Sequence, residues 1–298
     1  MSRLRRKILL HSDDIGMTPA VTDRIGAAWS AGLLDGFSVL ANGTGLERLT
    51  ALLAAEPERP VRIAVHLDLR EGPSVVDPSR IPLLVDAEGN LASEFSDLAA
   101  RWLTHGTSWR SALVGQVELE WRAQIERVLA VCAPRRPSAV DGHTHVHMLP
   151  FLFPIAARLA REYGIPEIRI SRESLHLCTP SDVVRPSFLV NLLKLVVLRV
   201  CSRMAEPVAR REGLAGPGAL VGILYSGRMT AAAARAGCAA ALDAARIEVL
   251  FHIGRAHPGE GGTRHTATSA FQYSPARDAE HAELARFLRT IEATDVPS

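Results

Sequence analysis

The feature that most constrains this chain is an alternation of short apolar runs with longer helical patterns, sustained almost from end to end. Residues 7–12, 37–41, 61–67, 138–141, 167–171, 219–225 and 246–253 read as strands. Between and after them, 19–31, 46–56, 110–131, 151–163, 188–211, 231–245 and 279–293 read as helices. Such alternation requires parallel strands joined by helical crossovers, an α/β fold with either an open sheet or a closed barrel. Seven strands in 298 residues favour an irregular (β/α) barrel of seven or eight strands. The length suits one domain over 1–298 with a sizeable core. Thr18-Pro19 reads as an N-cap and first helical residue, and Gly164-Ile165-Pro166 as a helix stop. Residues 75–106 are weakly periodic and predict a long insertion after the third strand, of the kind that covers a site.

Composition narrows the partners. With 47% hydrophobic and 22% charged residues the chain is not disordered as a whole. Lys and Arg total 34 against 32 Asp and Glu, a net charge of +2 that gives no case for a nucleic-acid partner. Only Lys7 and Lys194 are lysines. The four cysteines are scattered, with no C-x-x-C pair, so a disulfide framework or zinc knuckle is not expected and a reducing cytoplasm is. The first apolar run, Ile8 to Leu10, is too short for a signal peptide. The longest apolar stretch, 187–201, is broken by Asn191, Lys194 and Arg199 and falls short of a transmembrane segment. Helix 188–211 keeps two readings: a barrel helix packed on one face, or an apolar lid or membrane-surface contact in which Leu192 and Val196 would take part.

In a parallel barrel chemistry gathers at the C-terminal ends of the strands, and polar residues cluster there. The first strand ends at Asp13-Asp14, the third at His66-Leu67-Asp68, and the fourth runs into Asp141-Gly142-His143-Thr144-His145-Val146-His147. Arg169 and Arg172 follow the fifth, His252 ends the seventh, and His257 lies in the loop after it. Asp13 and Asp14 would face opposite sides of a continuing strand and so could hold different roles, one ligating a metal and one accepting a proton. Asp68 shares a face with His66 and could orient it or cap the strand. In an extended segment His143, His145 and His147 would share one side, a geometry suited to metal, although one could ligate, another touch substrate and the third only support. Asp14, His66 and one histidine of the cluster make a two-His–one-carboxylate set. Mixed N/O ligation suits zinc, manganese or iron better than magnesium and points to metal-assisted hydrolysis. His252 or His257 could supply a general acid, and Arg169 or Arg172 could orient Asp13 or hold an anionic group of the substrate.

Taken in order, Asp13-Asp14-Ile15-Gly16, Val65-His66-Leu67 and Asp141-Gly142-His143-Thr144-His145-Val146-His147 resemble the motifs of the YdjC-like carbohydrate deacetylases, which include the chitooligosaccharide deacetylases. The resemblance implies a (β/α) barrel related to polysaccharide deacetylases and one divalent metal, magnesium by family habit. Carried onto this chain, it makes Asp14, His66 and His143 the metal ligands and Asp13 the catalytic base. The family's late His-Pro-Gly motif matches His252-Ile253-Gly254 by position and His257-Pro258-Gly259 by letter, and the strand end makes His252 the preferred acid. His143-Thr144-His145 stands where relatives commonly carry His-His-His or His-Gln-His, which leaves the metal ligands in place and changes contacts to the sugar. The expected reaction is removal of an N-acetyl group from an amino sugar on an oligosaccharide, glycoside or glycolipid, with His145, His147, Arg169, Arg172 and His257 as substrate contacts. The alternatives are a metal-dependent phosphoesterase, which would commonly need two metals, and a non-catalytic sugar-binding relative. A homodimer stays open.

Overall fold

A computed structural model describes residues 5–179, 182, 184–216, 218–260 and 270–293; part of the N-terminal reading, residues 1–4, lies outside them. Among the described residues there are seven parallel strands, β1 Ile8–Ile15, β2 Gly36–Leu40, β3 Arg62–Leu67, β4 Ala139–Gly142, β5 Glu167–Ile168, β6 Ala219–Val221 and β7 Ile247–Leu250, in the sheet order β5-β4-β3-β2-β1-β7-β6. The sheet curls into a half-barrel. Its edges approach where Glu167 bridges Ala215 and the Leu220 N–H donates to the Arg172 carbonyl at 2.8 Å.

The alternation of side chains explains the curl's two faces. Phe37, Val39, Ile63, Val65, Val140, Ile247 and Val249 point outward, fully or almost fully buried under the helices. The inward positions of the same strands include a small and polar set, His11, Gly36, Ser38, Ala64, His66, Asp141 and Glu248, with Leu9, Leu40 and Leu250 among them. Gly36 is required by this crowding, because a Cβ there would stand 2.4 Å from the Arg62 carbonyl and 3.1 Å from the His11 ring. The interior therefore carries a polar cluster among a few leucines, and most of the hydrophobic core lies between the sheet and the helices outside it.

Those helices are α1 Pro19–Ser30, α2 Leu46–Ala55, α3 Phe95–Thr104, α4 Thr107–Cys132, α5 Phe153–Glu162, α6 Pro186–Arg211, α7 Ala231–Ala239 and α8 Ala276–Ala293. The expected caps are present: Thr18 Oγ1 accepts from the Val21 N–H, and Gly164, at φ +69°, ends α5 with Ile165 N–H returning to the Ala160 carbonyl. Three strands are shorter than the sequence suggests, because the apolar runs after β5, β6 and β7 continue into irregular buried chain. The 75–106 insertion contains a helix that its weak periodicity did not predict, α3, whose Leu98 is buried. It is tied to α4, where the Glu120 carboxylate accepts from the Val75 and Val76 N–H groups, each at 3.0 Å. Among the described residues no helix is long and apolar enough to cross a membrane.

Candidate metal centre

The site forms where β1, β3 and β4 end. Asp13 keeps the inward direction of His11, two residues before it. Asp14 would point outward, but it takes φ +75° where the β1–β2 register shifts, and this left-handed turn brings its carboxylate to the same side. The opposite-sides expectation is thus corrected by one backbone angle: both acids face one cavity with separate partners.

Asp14 Oδ1 lies 3.1 Å from His143 Nδ1 and 3.6 Å from His66 Nε2. His66 is oriented from behind, its Nδ1–H donating to Asp141 Oδ1 at 2.7 Å, which leaves Nε2 aimed at Asp14. The parallel register sets this up by pairing His66 with Asp141 across β3 and β4. Asp68 does not orient His66: it caps the next turn, accepting from the Arg70 and Glu71 N–H groups. Glu71 Oε1 lies 3.2 Å from His143 Nε2, a support the sequence reading missed.

One ligand atom each from Asp14, His66 and His143 lies within 4.8 Å of the others, and all three residues are buried. One carboxylate and two imidazoles, one of them backed by a carboxylate, form a donor set that fits a divalent cation. The electrostatics agree. Burial alone would lower the His66 pKa, yet Asp13, Asp141 and Asp14 push it up to about 9. His143 is likewise pushed up to about 10 against burial, by Asp14, Glu71 and Asp68. The cavity is a negative field that calls for positive charge. A second group of compatible spacing, His11, Asp13 and Asp141, is filled by protein instead. The Arg169 guanidinium donates to both Asp13 oxygens at 3.0 and 2.9 Å, lies 2.9 Å from Asp141 Oδ2 and also bonds Glu248, while His11 Nε2 pairs with Ser38 Oγ at 2.7 Å. Burial pushes the Asp13 carboxyl up, but Arg169 and then His66 hold it well below the usual range.

The three clustered histidines do not share one side. Residues 143–148 form a 3-10 turn in which Thr144 and His145 adopt φ +50° and +61°, so the extended geometry is lost. His143 faces Asp14, His145 Nδ1 pairs with Ser171 Oγ at 2.9 Å, and His147 donates from Nε2 to the Arg169 carbonyl at 2.9 Å. Burial holds His145 well below its ordinary range, with Lys194 and Arg169 adding to the effect, and lowers His147 to about 4. His252 lies in the field of Asp14 and Asp13; its N–H donates to Glu280 at 2.7 Å, and burial lowers its pKa to about 4. His257 is exposed, its N–H taken by Glu260, and Arg172 is spent on Glu206 and the Gly218 carbonyl. Neither is brought to the acids by these contacts.

One further residue reaches the site without a sequence signal, and another acts on it through its charge. Fully buried Arg277, at the start of α8, donates to Asp14 Oδ2 at 2.9 Å and to the Gln272 side chain and Gly254 carbonyl. Lys194 of α6 acts electrostatically on His145 and His252, and Asp13 and Glu173 act on it in turn.

Known proteins bear on this geometry. The family described as YdjC-like protein matches residues 7–289. A chitooligosaccharide deacetylase of Yersinia pestis bv. Antiqua (strain Angola) is 30% identical over 177 residues, 58% of this chain and 62% of the relative. One of Yersinia pseudotuberculosis serotype O:1b (strain IP 31758) is 29% identical over the same span. The chain thus matches about three fifths of the length of these relatives. A solved structure from Enterococcus faecalis V583, described as a cellobiose-phosphate cleavage protein, superposes with a TM-score of 0.67 at 20% identity, covering 96% of this chain and 94% of that one. That likeness establishes the shared fold.

Proposed function

Because the chain belongs to the YdjC-like protein family, we propose that it is a hydrolase removing an N-acetyl group from an amino sugar, carried on an oligosaccharide, glycoside or glycolipid, with release of acetate. The observation that carries this reading is the division of labour between adjacent acids: Asp14 joins His66 and His143, while Asp13 is held apart by Arg169. The names of the Yersinia relatives support the acetylated-sugar substrate.

Asp14, His66 and His143 would hold one divalent cation. When bound, that ion supplies Lewis acidity, acidifying a water and polarising the acetamide carbonyl. Zinc or manganese suits two imidazoles better than magnesium, the metal implied by the family resemblance. Asp13 is the base. Arg169 keeps it ionised and pointed, so it takes a proton from the attacking water as the oxygen adds to the carbonyl carbon. The same guanidinium makes Asp13 a poor store for that proton, which must pass on to the amine as the carbon–nitrogen bond breaks. His252, kept neutral by burial, can accept the proton and deliver it to the leaving nitrogen. His145, with Ser171, lines the substrate side, and His147 secures the backbone at Arg169. Arg172 and His257 have no part in this scheme. A two-metal phosphoesterase is disfavoured because the Arg169 guanidinium occupies the second ligand-like group.

The test is acetate release from a panel of N-acetylated sugars and glycolipids, using protein supplied in turn with magnesium, manganese and zinc beside Asp13→Asn. Acetate from the wild type alone supports the reading; none from protein shown to hold its metal overturns it.

A further inference from the structure

Helix α6 has two faces. Phe188, Leu195, Leu198, Cys201, Ala205 and Ala209 are buried against the barrel. On the opposite side Leu189, Val190, Leu193, Val196, Val200 and Met204 are each 51 to 67% exposed and form one continuous stripe at helical spacing. The segment leading into the helix adds exposed Leu175, Leu177 and Val184. Leu192, which the sequence placed with Val196, is only half-exposed and packs against the core.

One edge of the stripe is basic. Arg199, Arg203 and Arg210 follow it at i, i+4 and i+11, all exposed, and none forms an ion pair with a described residue. The helix's one acidic residue, Glu206, is already paired with Arg172. We propose that this face of α6 docks the protein on an anionic lipid surface, with the aliphatic stripe in the headgroup–acyl boundary and the arginines on the phosphates. The charges argue against a second copy of the chain. A two-fold interface would set the same patch against itself, bringing unpaired arginine edges together with no acid to answer them. The stripe also lacks the Trp and Tyr anchors that dominate protein–protein interfaces.

The proposal does not depend on the reaction assigned to the site. It is tested by flotation of the full chain with phosphatidylcholine vesicles, with and without phosphatidylglycerol, beside Leu193→Ser/Val196→Ser/Val200→Ser and Arg199→Glu/Arg203→Glu. Wild type should bind the anionic vesicles, and binding should fall at least about tenfold without phosphatidylglycerol, in high salt, or in either variant. All substituted side chains are exposed, so acetate release from a soluble acetylated sugar should be unchanged in both variants, which separates failure of docking from failure of the deacetylase reading. The idea is overturned by a wild type that ignores anionic vesicles. Binding indifferent to the substitutions overturns it too. So does light scattering that shows a wild-type dimer made monomeric by the serine variant, since a second copy would then cover the stripe.

Discussion

Arg169 grips Asp13 by both carboxylate oxygens, Nη1 to Oδ2 at 3.0 Å and Nη2 to Oδ1 at 2.9 Å, with neither residue more than 4% exposed. A bidentate fork of this kind fixes the plane of the carboxylate as well as its charge. Asp13 can therefore act as a base of set direction without ligating metal. Asp13→Asn should lower acetate release by about 10²–10⁴-fold while leaving bound metal unchanged. Elemental analysis of the purified variant beside its turnover decides the point, since loss of metal would make Asp13 a ligand. Arg169→Met should cost stability instead, about 3–5 kcal/mol, because it strands Asp13, Asp141 and Glu248 as buried acids. Urea unfolding reads that loss.

Arg277 does for Asp14 what Arg169 does for Asp13, but at one oxygen only. Its hold on Oδ2 at 2.9 Å leaves Oδ1 facing His143 and His66. Arg277→Met should destabilise the metal-free protein by about 1–3 kcal/mol, since the buried Asp14 carboxylate loses one of its cationic partners and keeps only His66 and His143. A divalent ion would replace that charge, so the rise in Tm on adding metal should be larger in the variant than in the wild type. Equal rises would show that Arg277 does not act through Asp14.

Much of this arrangement was legible before any coordinates, and the misses have physical causes. All seven strands were found because a parallel strand under helices needs an apolar run on its outer face. The inward polar positions hid in plain sight: His11 and Glu248 look incidental until register places them beside Ser38 and Arg169. Proximity in sequence pointed to Asp68 as the partner of His66, but a parallel sheet brings Asp141 from the neighbouring strand. Arg277 carried no signal because its partner is 263 residues away. The alternating histidines misled because alternation counts only in extended chain, and Thr144 and His145 are left-handed.

Lys194 gives a pH signature. Burial, with Arg70 adding to it, lowers its pKa from 10.5 to about 8. A lysine depressed in the folded state binds fewer protons there than in the unfolded chain, so stability rises with pH between about 8 and 10.5 and the full cost is present below that window. Lys194→Met should remove this rise and make the protein more stable at neutral pH. The gain should be on the order of 1–2 kcal/mol, because part of the side chain reaches solvent. Chemical denaturation at pH 7 and pH 10 measures both; a parallel pH dependence in variant and wild type would mean that the ammonium is solvated.

Thr144 offers the cleanest test of the turn that splits the histidine cluster. A β-branched residue at φ +50° is held where its Cβ crowds the following carbonyl, at about 1–2 kcal/mol. Glycine adopts that conformation freely but gives up roughly 0.5–1 kcal/mol of unfolded-chain entropy. Thr144→Gly should therefore stabilise the protein modestly, by about 0.5–1 kcal/mol, and leave metal binding by its neighbour His143 intact. Thr144→Val keeps the branching and should give no gain. If glycine destabilises instead, the Thr144 side chain makes a contact that matters more than its backbone strain, and unfolding midpoints of the two variants beside wild type distinguish these outcomes.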